Sequence, residues 1–134
     1  PPNNVDFGST VHFLKMMTST LAELEKVGGS HSYKFVKILT TKMNDGKSAH
    51  VAIKRMMDAI FAGDMLQSVL KDSAEIDNAT ANLLTVYEMT GAATRTETHK
   101  RCRAYLDSIG REVEVLMRKT WPSQRAALSQ EGLL

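Results

Sequence analysis

The sequence predicts an all-α protein, built as a compact bundle or right-handed stack of five to six helices. Proline, which breaks helices, occurs only at positions 1, 2 and 122. Between these positions, apolar residues recur every three or four residues, the period of a helix packed on one side. No convincing stretch alternates apolar and polar residues as a half-buried strand does. The length of 134 residues suits one domain, which we expect at 9–122, between a flexible segment at 1–8 and a frayed tail at 123–134.

The first two helices are predicted from apolar stripes that end at turn residues. The first helix ends at Gly28 and Gly29, because glycine readily closes a helix. The second helix runs from about Ser32 to Met43 and is followed by a turn at residues 44–46. Its inward positions are Phe35, Ile38, Leu39 and Met43, and those of the first helix are Val11, Leu14, Met17, Leu21 and Leu24.

Three further helices are predicted in the middle of the chain. The third stops at Gly63, Asp64 can cap a short fourth helix, and the fifth ends near Gly91. Their inward positions are Ile53, Met56, Met57, Ile60 and Phe61 for the third, Met65, Leu66, Val69 and Leu70 for the fourth, and Ile76, Ala79, Leu83, Leu84 and Tyr87 for the fifth.

The last helix is the longest. Thr94 and Glu97 have the spacing of a capping box, in which a hydroxyl and a carboxylate satisfy free backbone amides at the helix start. An apolar stripe from Cys102 to Met117 follows, and Trp121–Pro122 ends the helix.

Composition and charge favour a globular intracellular protein. The apolar fraction is 43% and the charged fraction 24%, and the one cysteine cannot form an internal disulfide. The net charge is only +2, but it is unevenly distributed. Residues 30–60 hold six basic side chains against two acidic ones, while residues 61–90 hold one against five. Such blocks are common on solvated helix faces, although they can also steer a charged partner.

No pattern in the sequence predicts catalysis, a cofactor or a metal site. Residues 41–48 end in Gly-Lys-Ser as a phosphate-binding loop does, but Thr41 replaces its first glycine and a predicted helix precedes it where a strand is needed. The four histidines are scattered without metal-ligand spacing. Cys102 lies on an apolar stripe, where a buried structural thiol is expected. We therefore expect a binding protein and no enzyme.

Two segments resemble the TFIIS N-terminal domain of transcription elongation factors. The stretch from Leu66 to Leu84 is similar to its central helices, and Val113 to Met117 with Arg118, Lys119 and Trp121 is similar to its basic closing helix and signature tryptophan. The resemblance implies a non-catalytic, nuclear helical bundle that docks short disordered motifs of elongation or chromatin proteins. The partner-binding residues would be Lys100, Arg101, Arg103 and Trp121.

A second resemblance keeps an alternative open. Residues 35–47 and the following apolar helix through Ile60 are similar to the middle of ENTH- and VHS-type domains of vesicle trafficking. This implies a cytoplasmic adaptor that binds sorting signals or phosphoinositide headgroups, the latter through Lys34, Lys37, Lys42, Lys47, Lys54 and Arg55. Only Tyr33 and Phe35 accompany that basic stretch, which argues against nucleic acid because stacking side chains are scarce.

Overall fold

The computed structural model describes residues 2–28, 35–120 and Ser129, and in them the fold is mixed α/β. It has four α-helices and a two-stranded parallel sheet, so the predicted all-α class is wrong. The chain divides into two compact units, Pro1–Leu66 and Gln67–Leu134. The boundary falls inside the second strand.

The first unit begins with helix α1, Asn4–Lys26. The Asn3 side chain accepts a hydrogen bond of 2.9 Å from the Asp6 backbone N–H and so caps the helix start. The predicted stripe faces inward only in part. Its first four members, Val11, Leu14, Met17 and Leu21, are half-buried, whereas Leu24 is exposed and no α1 residue is fully buried.

The second predicted helix is wrong, because strand β1 (Ile38–Met43) occupies its second half. Residues 32–34 of that prediction lie outside the described residues. A short apolar run fits the period of a helix and that of a buried strand equally well. Ile38, Thr40 and Thr41 are β-branched and favour the strand. Thr40 and Met43 are its buried positions.

The third predicted helix is present as α2, Ser48–Phe61, and only its Met57 is fully buried. A 3-10 turn, Ala62–Asp64, leads into strand β2, Met65–Lys71. The predicted fourth helix is therefore wrong, and Asp64 lies in the turn without capping a helix. The order β1–α2–β2 is a crossover unit, since parallel strands need a long connection between them.

In the second unit, helix α3 (Ala74–Ala81) is shorter than the predicted fifth helix. The Leu83 N–H donates to the Thr80 carbonyl (2.9 Å) and the Leu84 N–H to the Ala79 carbonyl (3.0 Å). This is a Schellman closure, and it places Leu83 in the left-handed region at φ +56°. The backbone therefore leaves the helix about ten residues before Gly91.

Helix α4, Glu97–Thr120, is the predicted long last helix, preceded by a 3-10 turn at Gly91–Arg95. Its cap differs from the prediction: the Thr96 hydroxyl accepts the His99 N–H (3.2 Å), whereas the Thr94 hydroxyl donates to the Gly91 carbonyl. Trp121 and Pro122 lie outside the described residues. The core beside α4 consists of Ala79, Val86 and Cys102, with Ile76, Met89 and Leu106 packed against them.

Candidate binding surface

A cleft of about 240 Å³ lies between the start of α3 and the first turns of α4. We call it the α3–α4 cleft; its walls are residues 71–75 on one side and Thr98, Arg101, Cys102 and Tyr105 on the other. All of these residues belong to the second unit.

Local hydrogen bonds hold the two walls of the α3–α4 cleft in place. The Ser73 hydroxyl accepts the Glu75 N–H (3.3 Å) and caps α3. The Glu75 carboxylate in turn accepts the Thr98 hydroxyl proton across the cleft, at 2.8 Å. Cys102 is only 1% exposed and supplies an apolar base between them.

The three basic residues predicted to bind a partner all lie on the first two turns of α4, and the structure gives each a different surrounding. We call Lys100, Arg101 and Arg103 the basic segment; all three are exposed. Lys100 forms an ion pair of 2.7 Å with Glu97. Arg101 lines the α3–α4 cleft, and its Nε donates to the Glu97 carbonyl (3.4 Å). The fourth predicted residue, Trp121, lies outside the described residues.

Arg103 belongs to a cluster that sequence reasoning missed. Its guanidinium lies 5.0 Å from the centroid of the Tyr87 ring, a cation–π contact. The Tyr87 hydroxyl donates a hydrogen bond of 2.6 Å to Asp107. This bond, together with a smaller effect of burial and the negative charge of Asp107, raises the pKa of Tyr87. The i,i+4 spacing of Arg103 and Asp107 indicates from the sequence that the two side chains share a helix face. The contact with Tyr87 could not be predicted, because the sequence pattern places Tyr87 on an inward helix face.

A backbone cradle also lies in the second unit. The Glu112 carboxylate accepts the Gln67 and Ser68 N–H groups, each at 2.7 Å, and so ties α4 to β2. Elsewhere on α4, His99 is 2% exposed, and its Nε2 lies 3.1 Å from the Val86 carbonyl. Because a carbonyl only accepts, Nε2 must carry the proton. The opposite ring nitrogen, Nδ1, is buried without a hydrogen-bond partner.

The basic set predicted for lipid binding is gathered in the first unit, but two members are already engaged. The Lys37 ammonium donates to the Gly63 carbonyl, and Lys54 forms an ion pair of 2.5 Å with Asp58. The other described members, Lys42, Lys47 and Arg55, are exposed, and Lys34 lies outside the described residues.

The sequence predicts a helix before residues 41–48, but the structure has strand β1 there, and β1 leads directly into the loop. Three of its backbone amides nevertheless already have hydrogen-bond partners. The Asn44 side-chain oxygen accepts the Gly46 N–H (2.9 Å), the Lys47 N–H donates to the Asn44 carbonyl (3.1 Å), and the Asn44 N–H faces His50 Nδ1 (3.3 Å). A phosphate cradle requires open amides, so the loop geometry argues against nucleotide binding here.

The described residues contain neither a cluster suited to a metal ion nor a helix suited to a membrane. Within that part of the chain, no three His, Cys, Asp or Glu side chains are grouped closely enough to share a metal ion. None of the described helices combines the length and apolarity needed to cross a membrane.

Comparison with known proteins shows a distant similarity to a replication protein. No family model matches the chain. A putative replication protein A from Rhizobium rhizogenes is 21% identical to it over 120 residues. The match covers 90% of this chain and 30% of that protein, so the chain spans about a third of the relative's length. A role in transcription elongation and a nuclear location gain no support from this similarity and stay predictions, as do both family resemblances.

Proposed function

We propose that this chain is a non-catalytic, protein-binding module of a larger replication protein. In this proposal the α3–α4 cleft receives one apolar side chain of a short partner segment, and the basic segment pairs with acidic residues beside that anchor. The main support for this proposal is the position of Arg101, which belongs to the basic segment and also lines the cleft.

Three of the nine lining residues of the cleft support an apolar anchor, and the other six are polar or charged. Its base is the buried Cys102, and the half-buried Tyr105 and the small Ala74 lie beside it. A few side chains that enter such pockets carry most of the binding energy in protein interfaces. A single aliphatic or aromatic side chain fits a space of this size.

The charges around the cleft support acidic neighbours on the partner. Glu75 is bonded to Thr98 and Glu97 to Lys100, whereas the basic segment stays exposed. The Lys100 pair is itself a surface pair, with side-chain exposures of 60% and 74%, so exchanging Glu97 for a partner carboxylate costs little. Such rim charges raise the association rate more than the affinity.

Exposed apolar residues in the same unit also support a partner. Leu83 is 95% exposed, Leu84 40% and Tyr87 48%, and all three lie in the short connection after α3. Neighbouring large apolar side chains left in water are typical of interaction surfaces.

The replication context comes from the name of the relative alone. The relative is a putative replication protein and is about three times as long as the segment it shares with this chain. The membrane alternative has weaker support, because Lys37 and Lys54 would have to leave their present partners before they could bind headgroups.

A peptide titration tests the proposal. The probe is a blocked hexapeptide with phenylalanine and leucine at its centre and two acidic residues on each side, added to ¹⁵N-labelled protein. We expect amide shifts at Thr98, Arg101 and Tyr105. Arg101→Ala should weaken binding about three- to tenfold, since one rim charge is removed. Ala74→Leu should block entry, because the new side chain occupies the cleft.

Arg118→Ala is the matched control, because Arg118 is an exposed arginine of the same helix that pairs with Glu114. It should leave the affinity unchanged. Peptide binding that ignores both Arg101→Ala and Ala74→Leu, or no shift at the cleft with millimolar peptide, would refute the proposal. Salt-sensitive pelleting with phosphatidylcholine vesicles that contain phosphoinositides would instead favour the membrane alternative.

A further inference from the structure

A groove of about 320 Å³ in the first unit runs beside strand β1. We call it the β1 groove; it lies between residues 38–41 of β1 and the first turns of α1 at Asp6, Ser9 and Thr10. All of these residues belong to the first unit.

The lining shows which side of the strand the groove follows. Side chains of a strand alternate between its two faces, so a groove over one face is lined by every second residue. Four consecutive residues of β1 line this groove. The groove therefore reaches both faces of the strand and includes its hydrogen-bonding edge, and Met57 of α2 also lines it.

That edge has no strand beside it among the described residues. The sheet has the order β1–β2, so β1 has a neighbouring strand on one side only. In a parallel pair, alternate N–H and C=O groups of each strand point away from the partner. Exposed strand edges of this kind are templates for a further strand.

A buried hydroxyl without a hydrogen-bond partner on the same strand indicates that the groove can bind a ligand. Thr40 is 4% exposed, it lines the β1 groove, and its Oγ1 has no hydrogen-bond partner. Leaving such a group unpaired costs free energy, which a ligand with a polar group at that point would recover.

We propose that the β1 groove binds an extended peptide strand, which adds to the free edge of β1 and hydrogen-bonds the Thr40 hydroxyl. The ligand class is an uncharged segment of β-branched and small polar residues in extended conformation, the chemistry of a β-strand. The first turns of α1 bound the groove on the side opposite β1. Polypeptide to supply the strand exists in the similar replication protein, 70% of which lies outside the shared segment.

The test uses a blocked heptapeptide of alternating valine and threonine as the strand probe, added to the ¹⁵N-labelled chain. The matched control is the same peptide with proline at its centre, which lacks the N–H needed for pairing. We expect shifts at residues 38–41, Ser9 and Thr10 with the first peptide, and at least tenfold weaker binding of the second.

Two variants separate the Thr40 contact from the strand in general. Thr40→Val keeps the shape and removes the hydroxyl, and should weaken peptide binding about three- to tenfold, as expected for one hydrogen bond. Thr41→Val, the adjacent strand position, should change binding less than twofold. Thr40→Val should unfold no earlier than the parent chain, because the hydroxyl has no partner to lose.

The proposal is overturned if the two variants weaken peptide binding equally or if both peptides bind equally well. It is also overturned if millimolar peptide causes no shift at residues 38–41. Concentration-dependent dimerisation that protects the β1 amides from exchange would also overturn it, since the occupant would then be a second copy. The readouts lie in the first unit, so they are distinct from those of the α3–α4 cleft.

Discussion

Leu83 closes helix α3 in a backbone conformation that is strained for a residue with a side chain. The Schellman closure after α3 requires a left-handed residue at this position, and a side chain with a Cβ is strained there. The Leu83 side chain is 95% exposed, so it returns almost no packing energy.

Leu83→Gly should therefore stabilise the second unit by about 1 kcal/mol, because glycine adopts the left-handed region without strain. Urea unfolding followed by circular dichroism measures the change. Leu83→Ala is the control: alanine removes the same exposed side chain but retains the Cβ, so its stability should stay near that of the parent. A midpoint that rises equally for both variants would contradict the conformational explanation.

Tyr87 gives a prediction about pH. Its hydrogen bond to Asp107 raises the phenol pKa above the ordinary value of 10.0. A proton held more tightly in the folded state stabilises that state below the unfolded pKa, and this contribution is lost as the pH rises through the raised pKa. In Asp107→Asn, the Tyr87 pKa should move down toward 10.0, as measured by tyrosinate absorbance during alkaline titration.

Asp77→Asn serves as the control, since it removes an exposed carboxylate of α3. Its titration curve should overlay that of the parent chain. An unchanged Tyr87 pKa in Asp107→Asn would show that the hydrogen bond is not formed in solution.

At the scale of elements, Glu112 joins α4 to β2. Its two carboxylate oxygens each accept one backbone N–H, and the residue is half-buried. Glu112→Gln replaces one acceptor oxygen by an amide group that can only donate, so one N–H faces another donor. We expect a loss of about 1–3 kcal/mol in unfolding free energy.

Glu114→Gln is the matched comparison, two residues along the same helix. Its carboxylate pairs with Arg118 on the exposed side, where such pairs contribute at most about 1 kcal/mol. If the two variants unfold at the same urea concentration, Glu112 does not tie α4 to β2.

The sequence predicted the long helices and missed both strands, for a physical reason. The helices α1, α2 and α4 are 23, 14 and 24 residues long, which exceeds the usual length of a strand. β1 and β2 are six and seven residues long, and such short runs fit either structure until a neighbour supplies the pairing. The end of α3 was missed because Leu83, and not a glycine, adopts the left-handed turn.

The candidate sites also differ in how far the sequence predicts them. The basic segment lies on the last helix, as the apolar spacing of that helix indicates, but its role in binding a partner stays a prediction. The α3–α4 cleft and the β1 groove could not be predicted. The first depends on where α3 starts relative to α4, and the second depends on the strand β1 itself.

At the scale of the whole molecule, the described residues form two small cores, one in each unit. Met43, Met57, Met65 and Leu66 are buried in the first unit, and Ala79, Val86 and Cys102 in the second. Parallel sheets are normally covered on both faces, and a pair of strands alone is marginally stable. A further strand in the β1 groove would extend this two-stranded sheet to three strands.

The Glu112 carboxylate also limits where a further strand can pair with β2. A carboxylate already holds the amides of Gln67 and Ser68, so an incoming strand would have to displace a charged group to pair there. Edge-to-edge fibres require an unpaired strand edge on both sides of the sheet in every subunit. Among the described residues, a further strand therefore meets a free edge at β1, whereas at β2 it meets two amides that already have a charged acceptor.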